Sequence, residues 1–443
     1  MAIQKQGTVN GGSDFDVVLK EYYEGPVREH LNNSIPILKY VEKSKRKWNG
    51  RRVVFPVHLR RNHGVGARSE TGTLPAAGRQ EYAECRINSK FMYGRIELTG
   101  VVIAASQGDK GSFASALRTE VEGLRRDLRV DFNRQVWGNP VASAGGVAAG
   151  NDTLSNNTGV IAQLNGNPDS LADGASQSFT FDGPGTRYIK AGQSLSFGTM
   201  TGTNQGTVDT AAAARTLTVT SVDTTTTATL KNSSGGAIDL ADNDVCVLGD
   251  SGDNSFNKEI TGLSFMVDDA DDNLQELDTG NFPEWKASVL DNSGNGNRPL
   301  SLELMQLAID TTDEVAGSEP DLIMGHHSIR REYINLLTSD VRYSPEQLKG
   351  GFQKLTYAGG TNPMPIEFDR MAPYNKLFFL NTKDIKMYTM KDWAWADRDG
   401  STFSRKLNSD SWEAFMCWYG NMGLERRFSQ TLLADIEVSN LIF

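Results

Sequence analysis

The sequence predicts an α+β protein interrupted by a β-rich insertion, and three observations carry that reading. A single apolar stripe marks one long helix at 112–137. Residues 141–257 change composition and break into short alternating runs. Beyond them, helical and strand patterns interleave to the end of the chain. At 443 residues with 38% apolar content, there is material for about two to four domains of roughly 150 residues, each with its own core. The chain divides into 1–50, 51–98, 99–140, 141–257 and 258–443.

Segment 1–50 is a polar arm carrying the basic run Lys43, Lys45, Arg46, Lys47. Within it, Phe15, Val18, Leu19, Tyr22 and Tyr23 recur at helical spacing until Gly25-Pro26. That spacing predicts a helix over 14–31. Segment 51–98 opens on the strand-like run Val53-Val54-Phe55. It passes through Gly64, Gly66, Gly72, Pro75 and Gly78, and returns by alternation at Phe91, Tyr93, Ile96 and Leu98. A long hairpin with a glycine-rich tip is expected. Irregular excursions of this length are uncommon in compact domains and usually have a function. Residues 51–95 hold nine basic and three acidic residues. The surplus fits a solvated loop or, more specifically, an arm that docks on an acidic surface of another subunit.

Segment 99–140 contains the strongest helix signal. Phe113, Leu117, Val121, Leu124, Leu128, Phe132 and Val136 are spaced by threes and fours, which places them on one face. The remaining positions are charged, with Glu122 and Arg126 at a favourable i,i+4 spacing. Gly138-Asn139-Pro140 ends the helix. At 1.5 Å per residue it spans on the order of 38 Å, long enough to act as a spine.

Residues 141–257 hold eleven Asp, no Glu and only four basic residues. Strands are expected at Ser178–Phe181, Leu195–Phe197, Thr216–Thr220 and Val245–Val247, separated by turns such as Ser234-Gly235-Gly236. The thin apolar content suits a small β-barrel or sandwich, and the regular strand spacing argues against a disordered linker. In 258–443, Ser301 reads as the N-cap of a helix over 302–316. Leu322-Ile323-Met324 reads as a buried strand, and His326 to Leu337 as a second helix. Strand runs follow at Ile366–Phe368 and Leu377–Leu380, then alternation towards Leu424.

Composition narrows the function. The net charge of −10 argues against a protein that coats DNA, which would be basic. Cys85, Cys246 and Cys417 lie far apart, so neither a disulfide framework nor a cysteine zinc site is expected, and a reducing compartment is. No apolar signal core or membrane-length stretch occurs. His326-His327 are adjacent, so on a helix they diverge and do not chelate one metal. Asp239, Asp242, Asp244, Asp250 and Asp253 offer oxygen ligands of the kind Ca²⁺ takes, but not at EF-hand spacing. A solvated acidic loop is the reading preferred. Trp393, Trp395, Trp412 and Trp418 read as packing residues. Gly64-Val65-Gly66 lacks the third glycine of a dinucleotide loop, and no P-loop or nucleophile elbow is found. No enzyme is expected, and no cofactor or metal.

The order of parts, with four segments, carries a resemblance. Phe91-Met-Tyr-Gly-Arg-Ile-Glu-Leu-Thr-Gly100, Pro283-Glu-Trp-Lys, Pro320-Asp-Leu-Ile-Met and Trp418-Tyr-Gly-Asn-Met-Gly-Leu-Glu-Arg-Arg427 resemble segments of the major capsid proteins of tailed double-stranded DNA bacteriophages. Their fold is named after phage Hong Kong 97. The resemblance implies an N-terminal arm (1–50), an E-loop hairpin (51–98), a P (peripheral) domain with its spine helix (99–140), an inserted β-rich domain (141–257), and an A (axial) domain with a return to the P domain (258–443). It also implies pentamers and hexamers in an icosahedral head shell around double-stranded DNA, without sequence-specific binding or a membrane. Assembly would take place in the bacterial host cytoplasm and end in the virion. A portal and a decoration protein would be further partners.

Two departures from the founding member follow from the sequence. No lysine lies between Lys47 and Lys90, so the hairpin tip lacks the residue for an isopeptide crosslink. No long charged helical segment precedes the hairpin, so a separate scaffolding protein is implied. Within the resemblance, Arg60, Arg61 and Arg68 are the expected inter-subunit contacts, with Glu120 and Glu122 of the next subunit's spine as partners. An encapsulin-like cargo shell and a β-rich surface or adhesion protein are the competing readings.

Overall fold

The apolar stripe folds as helix α1 (Lys110–Trp137) in the computed structural model. The described residues are 35–46, 48, 50–100, 110–138, 158–166, 170–182, 185–198, 215–242, 244–250, 253–270, 273–340, 355–397 and 402–438. The helix expected at 14–31 lies outside them. Val121, Leu128, Phe132 and Val136 of α1 are buried, as their shared face requires.

Beneath α1 runs a sheet of three long antiparallel strands, Lys90–Thr99, Ser411–Leu424 and Ile385–Trp395. Phe132 stands edge-on to Trp393 and Trp418, with ring centroids 5.5 and 5.0 Å away, a favoured aromatic geometry. Gly94 marks the closest approach of helix and sheet. A Cβ there would meet Leu124 and Leu128 at 2.8 Å, so a larger residue would lift the helix. Trp393, Trp395 and Trp418 are core residues, while Trp412 is 40% exposed.

The hairpin is shorter than the sequence suggests. Arg52–Arg60 pairs with Glu81–Asn88, and the ribbon ends there rather than at 98. Lys90–Thr99 belongs to the long sheet, in register with Ser411–Gly420. Alternation reports a half-buried strand but not its partner, and nothing local marks Ser89 as the crossing point. One ribbon face, with Val53, Phe55, Val57, Cys85 and Ile87, is buried against Leu277, Trp285 and Tyr388. Residues 61–80 form no regular element and are mostly exposed.

Six strands of the insertion close into an antiparallel barrel. Their order is Val160–Asn165, Ser176–Asp182, Thr227–Asn232, Thr216–Val222, Ser194–Gly198 and Val245–Asp250, the last pairing back onto the first. Closure satisfies the backbone without exposed edges, and Leu164, Phe179, Phe181, Phe197, Leu217 and Leu230 fill the interior. Four of the six strands are visible as alternation. Val160–Asn165 is not, because five of its six residues are buried.

The acidic residues of this segment are not a solvated loop throughout. Asp244 is fully buried, accepts the Ala241 amide at 2.8 Å and lies 3.5 Å from Arg215. Among the described residues, no cluster of three or more His, Cys, Asp or Glu could hold a metal ion. Ser233 lies in an exposed turn of the barrel. A short tag inserted after Ser233 should therefore leave the subunit folded, because exposed turns tolerate insertion. Loss of soluble protein on tagging would show that the turn is structural.

The second sheet is mixed and six-stranded, in the order Ser288–Leu290, Thr431–Leu433, Leu377–Leu380, Leu322–Gly325, Met364–Phe368, Thr356–Tyr357. Helices α2 (Leu302–Ala316) and α3 (His327–Asp340) pack on it through Met305, Ala308, Ile309, Ile329 and Tyr333. As expected, Ser301 caps α2, accepting the Leu304 amide at 3.2 Å, and Gly317 ends it at φ +63°. The chain passes from this sheet to the long one through Ile385–Trp395 and Ser411–Leu424. It then comes back as Thr431–Leu433, so the expected return to the spine is followed by a further strand in the mixed sheet.

Candidate assembly surfaces

Arg60 does not face outward as a free contact. Its Nε and Nη2 donate to Glu284 at 2.7 and 3.3 Å, and its Nη1 donates to Glu81 at 3.0 Å. Glu284 is held below the usual carboxylate range, chiefly by the Arg60 hydrogen bond. The Pro283–Trp285 turn thus clamps the end of the ribbon, with Trp285 beneath and Glu284 at the rim. Arg86 and Arg52 are likewise taken up by Glu276, at 3.3 and 3.6 Å. The positive surplus read from the sequence is therefore partly neutralised within the subunit.

Three of the remaining basic residues lie at the tip. Arg61, Arg68 and Arg79 form no ion pair with a described residue; Arg68 donates only to the neighbouring Ala67 carbonyl, at 2.9 Å. Between these arginines, Val65 and Leu74 are 79% and 81% exposed. The legs of the tip run close together. A Cβ on Gly64 would come within 2.9 Å of the Ala76 carbonyl and the Gly78 amide, so glycine keeps the loop narrow. A narrow, basic loop carrying naked aliphatic side chains is suited to lie on another surface.

Two surfaces could receive such a loop. Glu120 and Glu122 stand exposed on α1. On the long sheet, Phe91 and Tyr93 are 47% and 54% exposed, away from α1 by strand alternation. With Tyr419 and Phe415 they form an aromatic row, at centroid distances of 5.2, 5.9 and 6.4 Å. The sequence places Phe91 and Tyr93 in a strand. It does not show them as a surface, because their partner strand lies over 300 residues away.

The insertion is tied to the spine by a buried pair. Arg134, on α1, donates to Glu259, just past the barrel, at 2.9 Å through Nη1, and to Asp131 at 2.9 Å through Nε. Burial alone would lower the Arg134 pKa, but the Asp131 and Glu259 carboxylates outweigh it and raise the value. Thr158, at the barrel's entrance, donates to the Glu259 carbonyl at 3.2 Å.

This arrangement is similar to the capsid asymmetric unit of cyanophage A-1(L), with a TM-score of 0.51 at 11% identity, over 91% of this chain and 93% of that one. The chain has a phage capsid fold. The chain is also similar to the capsid of a native GTA particle (TM-score 0.46, 7% identity, 91% of both chains). It is similar as well to a satellite phage P4 procapsid (0.39, 8%, 94% of this chain and 91% of that one). No family model and no curated protein matches the sequence.

Proposed function

We propose that the protein is a phage major capsid protein, a non-enzymatic subunit that forms pentamers and hexamers and closes into the icosahedral shell enclosing the genome. In this reading the long sheet with α1 is the P domain, the mixed sheet the A domain and the ribbon the E-loop, and the observation that supports it most is the exposed, basic tip of that ribbon at 61–80 on a chain of capsid fold. A loop with three unpaired arginines and two exposed aliphatics is incomplete in one subunit. A second copy completes it, and heterologous contacts of that kind close into rings. The protein works in the virion after assembly in the host cytoplasm, with a separate scaffolding protein and a portal as partners, and with room for a decoration protein. A net charge of −10 suits a container that encloses double-stranded DNA without gripping it.

The docking contacts shift from the sequence expectation. Arg61 and Arg68 are the arginines that reach a neighbour, with Glu120 and Glu122 of its α1 as partners. Arg60 serves instead to hold the loop at its working angle. Each exposed pair contributes only about 0–1 kcal/mol, but every subunit repeats it. The test is electron microscopy of the full-length chain expressed with its scaffolding protein. Closed shells are expected; a monomer under every assembly condition refutes the proposal.

The shell should be held by noncovalent contacts, since the tip has no lysine. Boiled, reduced particles should run as a single band near 48.5 kDa. A ladder of covalent multimers would contradict this.

A further inference from the structure

A cavity of about 550 Å³ lies where the barrel, α1 and the A domain meet. Its wall brings together Arg187 and Lys190 of the barrel segment, Asp127 and Arg134 of α1, and His326 and Arg370 of the A domain. Arg134 is consumed by Asp131 and Glu259. Arg187 spends Nη1 on the Ala372 carbonyl at 3.0 Å and stacks over Tyr188. Its Nη2 is buried with no hydrogen-bond partner. Lys190 and Arg370 are exposed and make no ion pair with a described residue. The one carboxylate left unpaired in the wall is Asp127, at an exposed position.

Three cations and one unpaired carboxylate give this wall a positive potential suited to an anion. A buried guanidinium N–H without an acceptor is unfavourable, and a ligand oxygen would satisfy it. His326 fits the same field. Its Nδ1 accepts the Ser328 amide at 3.2 Å, so in the neutral ring Nε2 carries the hydrogen. Burial first, and then Arg187, push its pKa down to about 3, so the ring stays neutral and offers a donor rather than a charge.

We propose that this junction cavity binds a phosphate oxyanion, held by Arg187, Arg370 and Lys190. Guanidinium groups match phosphate oxygens in bidentate geometry. The ligand bridges barrel and A domain, which are linked here by the Arg187 contact and by the Tyr188 hydroxyl donating to the Met371 carbonyl at 3.3 Å. The phosphate is either the free ion or a group of a nucleic-acid backbone. The inference goes beyond the capsid reading and stands on the folded subunit alone.

The test is calorimetric titration of the purified, unassembled full-length chain at constant ionic strength. One arm uses inorganic phosphate and the other a short single-stranded oligonucleotide at equal phosphate concentration. Saturable one-site binding is expected in at least one arm, weakened about tenfold or more by Arg370→Gln and by Lys190→Gln. Both of those side chains are exposed, so the variants fold even if Arg187→Gln does not. Arg61→Gln with Arg68→Gln, at the loop tip, should leave phosphate binding unchanged. Binding of phosphate identifies the free ion; binding of the oligonucleotide alone identifies the backbone. No saturable binding in either arm, or equal binding in the Arg370 and Lys190 variants, overturns the site.

Discussion

Replacing Arg134 with alanine should destabilise the subunit by about 3–5 kcal/mol, the usual cost of removing one partner from a buried ion pair. Two effects add up. Glu259 and Asp131 lose the cation between them, and Glu259, 7% exposed, is left as a buried charge. The loss should be felt first at the barrel, because Glu259 is the barrel's anchor to α1. Proteolysis of the Arg134→Ala variant should then release a barrel fragment near 141–257 before the long sheet and the mixed sheet unfold. The double variant Arg134→Met, Glu259→Leu should be far less damaging, since replacing both partners by apolar groups is often neutral or stabilising. Chemical denaturation of the single and double variants checks both statements. A single variant within 1 kcal/mol of wild type would show that the pair is not what seats the barrel.

The double substitution Arg61→Glu, Arg68→Glu should leave the subunit as stable as wild type, within about 0.5 kcal/mol, because both side chains are at the surface. It should nonetheless abolish shells or reduce their yield many-fold, since each reversed contact recurs at every subunit. High salt should weaken wild-type shells in the same direction, because exposed pairs are screened. Arg60→Glu is expected to act differently. It places a third carboxylate beside Glu81 and Glu284 and releases the clamp, so the isolated subunit should lose stability before assembly is reached. Denaturation midpoints and sedimentation of the two variants separate the roles. If normal empty shells form in normal yield from the Arg61, Arg68 variant, the loop does not dock through these arginines.

The elements legible in the sequence are those whose signal is local. The stripe from Val121 to Val136 needs only helical spacing, and Ser301 with Gly317 brackets α2 by capping chemistry alone. Of the barrel strands, Ser176–Asp182 and Thr216–Val222 show because one face of each is wet, while Leu195–Phe197 and Val245–Val247 show by polar–apolar or β-branched pattern although both faces are buried. What was not legible depends on distant pairing. Phe91–Leu98 alternates as a hairpin return would, yet its partner is Ser411–Gly420. Val160–Asn165 is buried on both sides and loses its alternation. The site shows the same division. Arginine enrichment in 51–95 marks the loop as a candidate surface. Which arginines are already taken depends on Glu284, 224 residues from Arg60. The Arg134–Glu259 anchor spans 125 residues, so no spacing rule finds it.

The decisive measurement is a cryo-electron microscopy map of particles formed by the full-length chain with its scaffolding protein. The expected map shows closed shells in which residues 61–80 of each subunit lie on a neighbouring copy, with Arg61 and Arg68 within ion-pair distance of Glu120 or Glu122 on that copy's α1. A shell in which the loop touches only its own subunit, or a chain that forms no shell at all, would contradict the central claim.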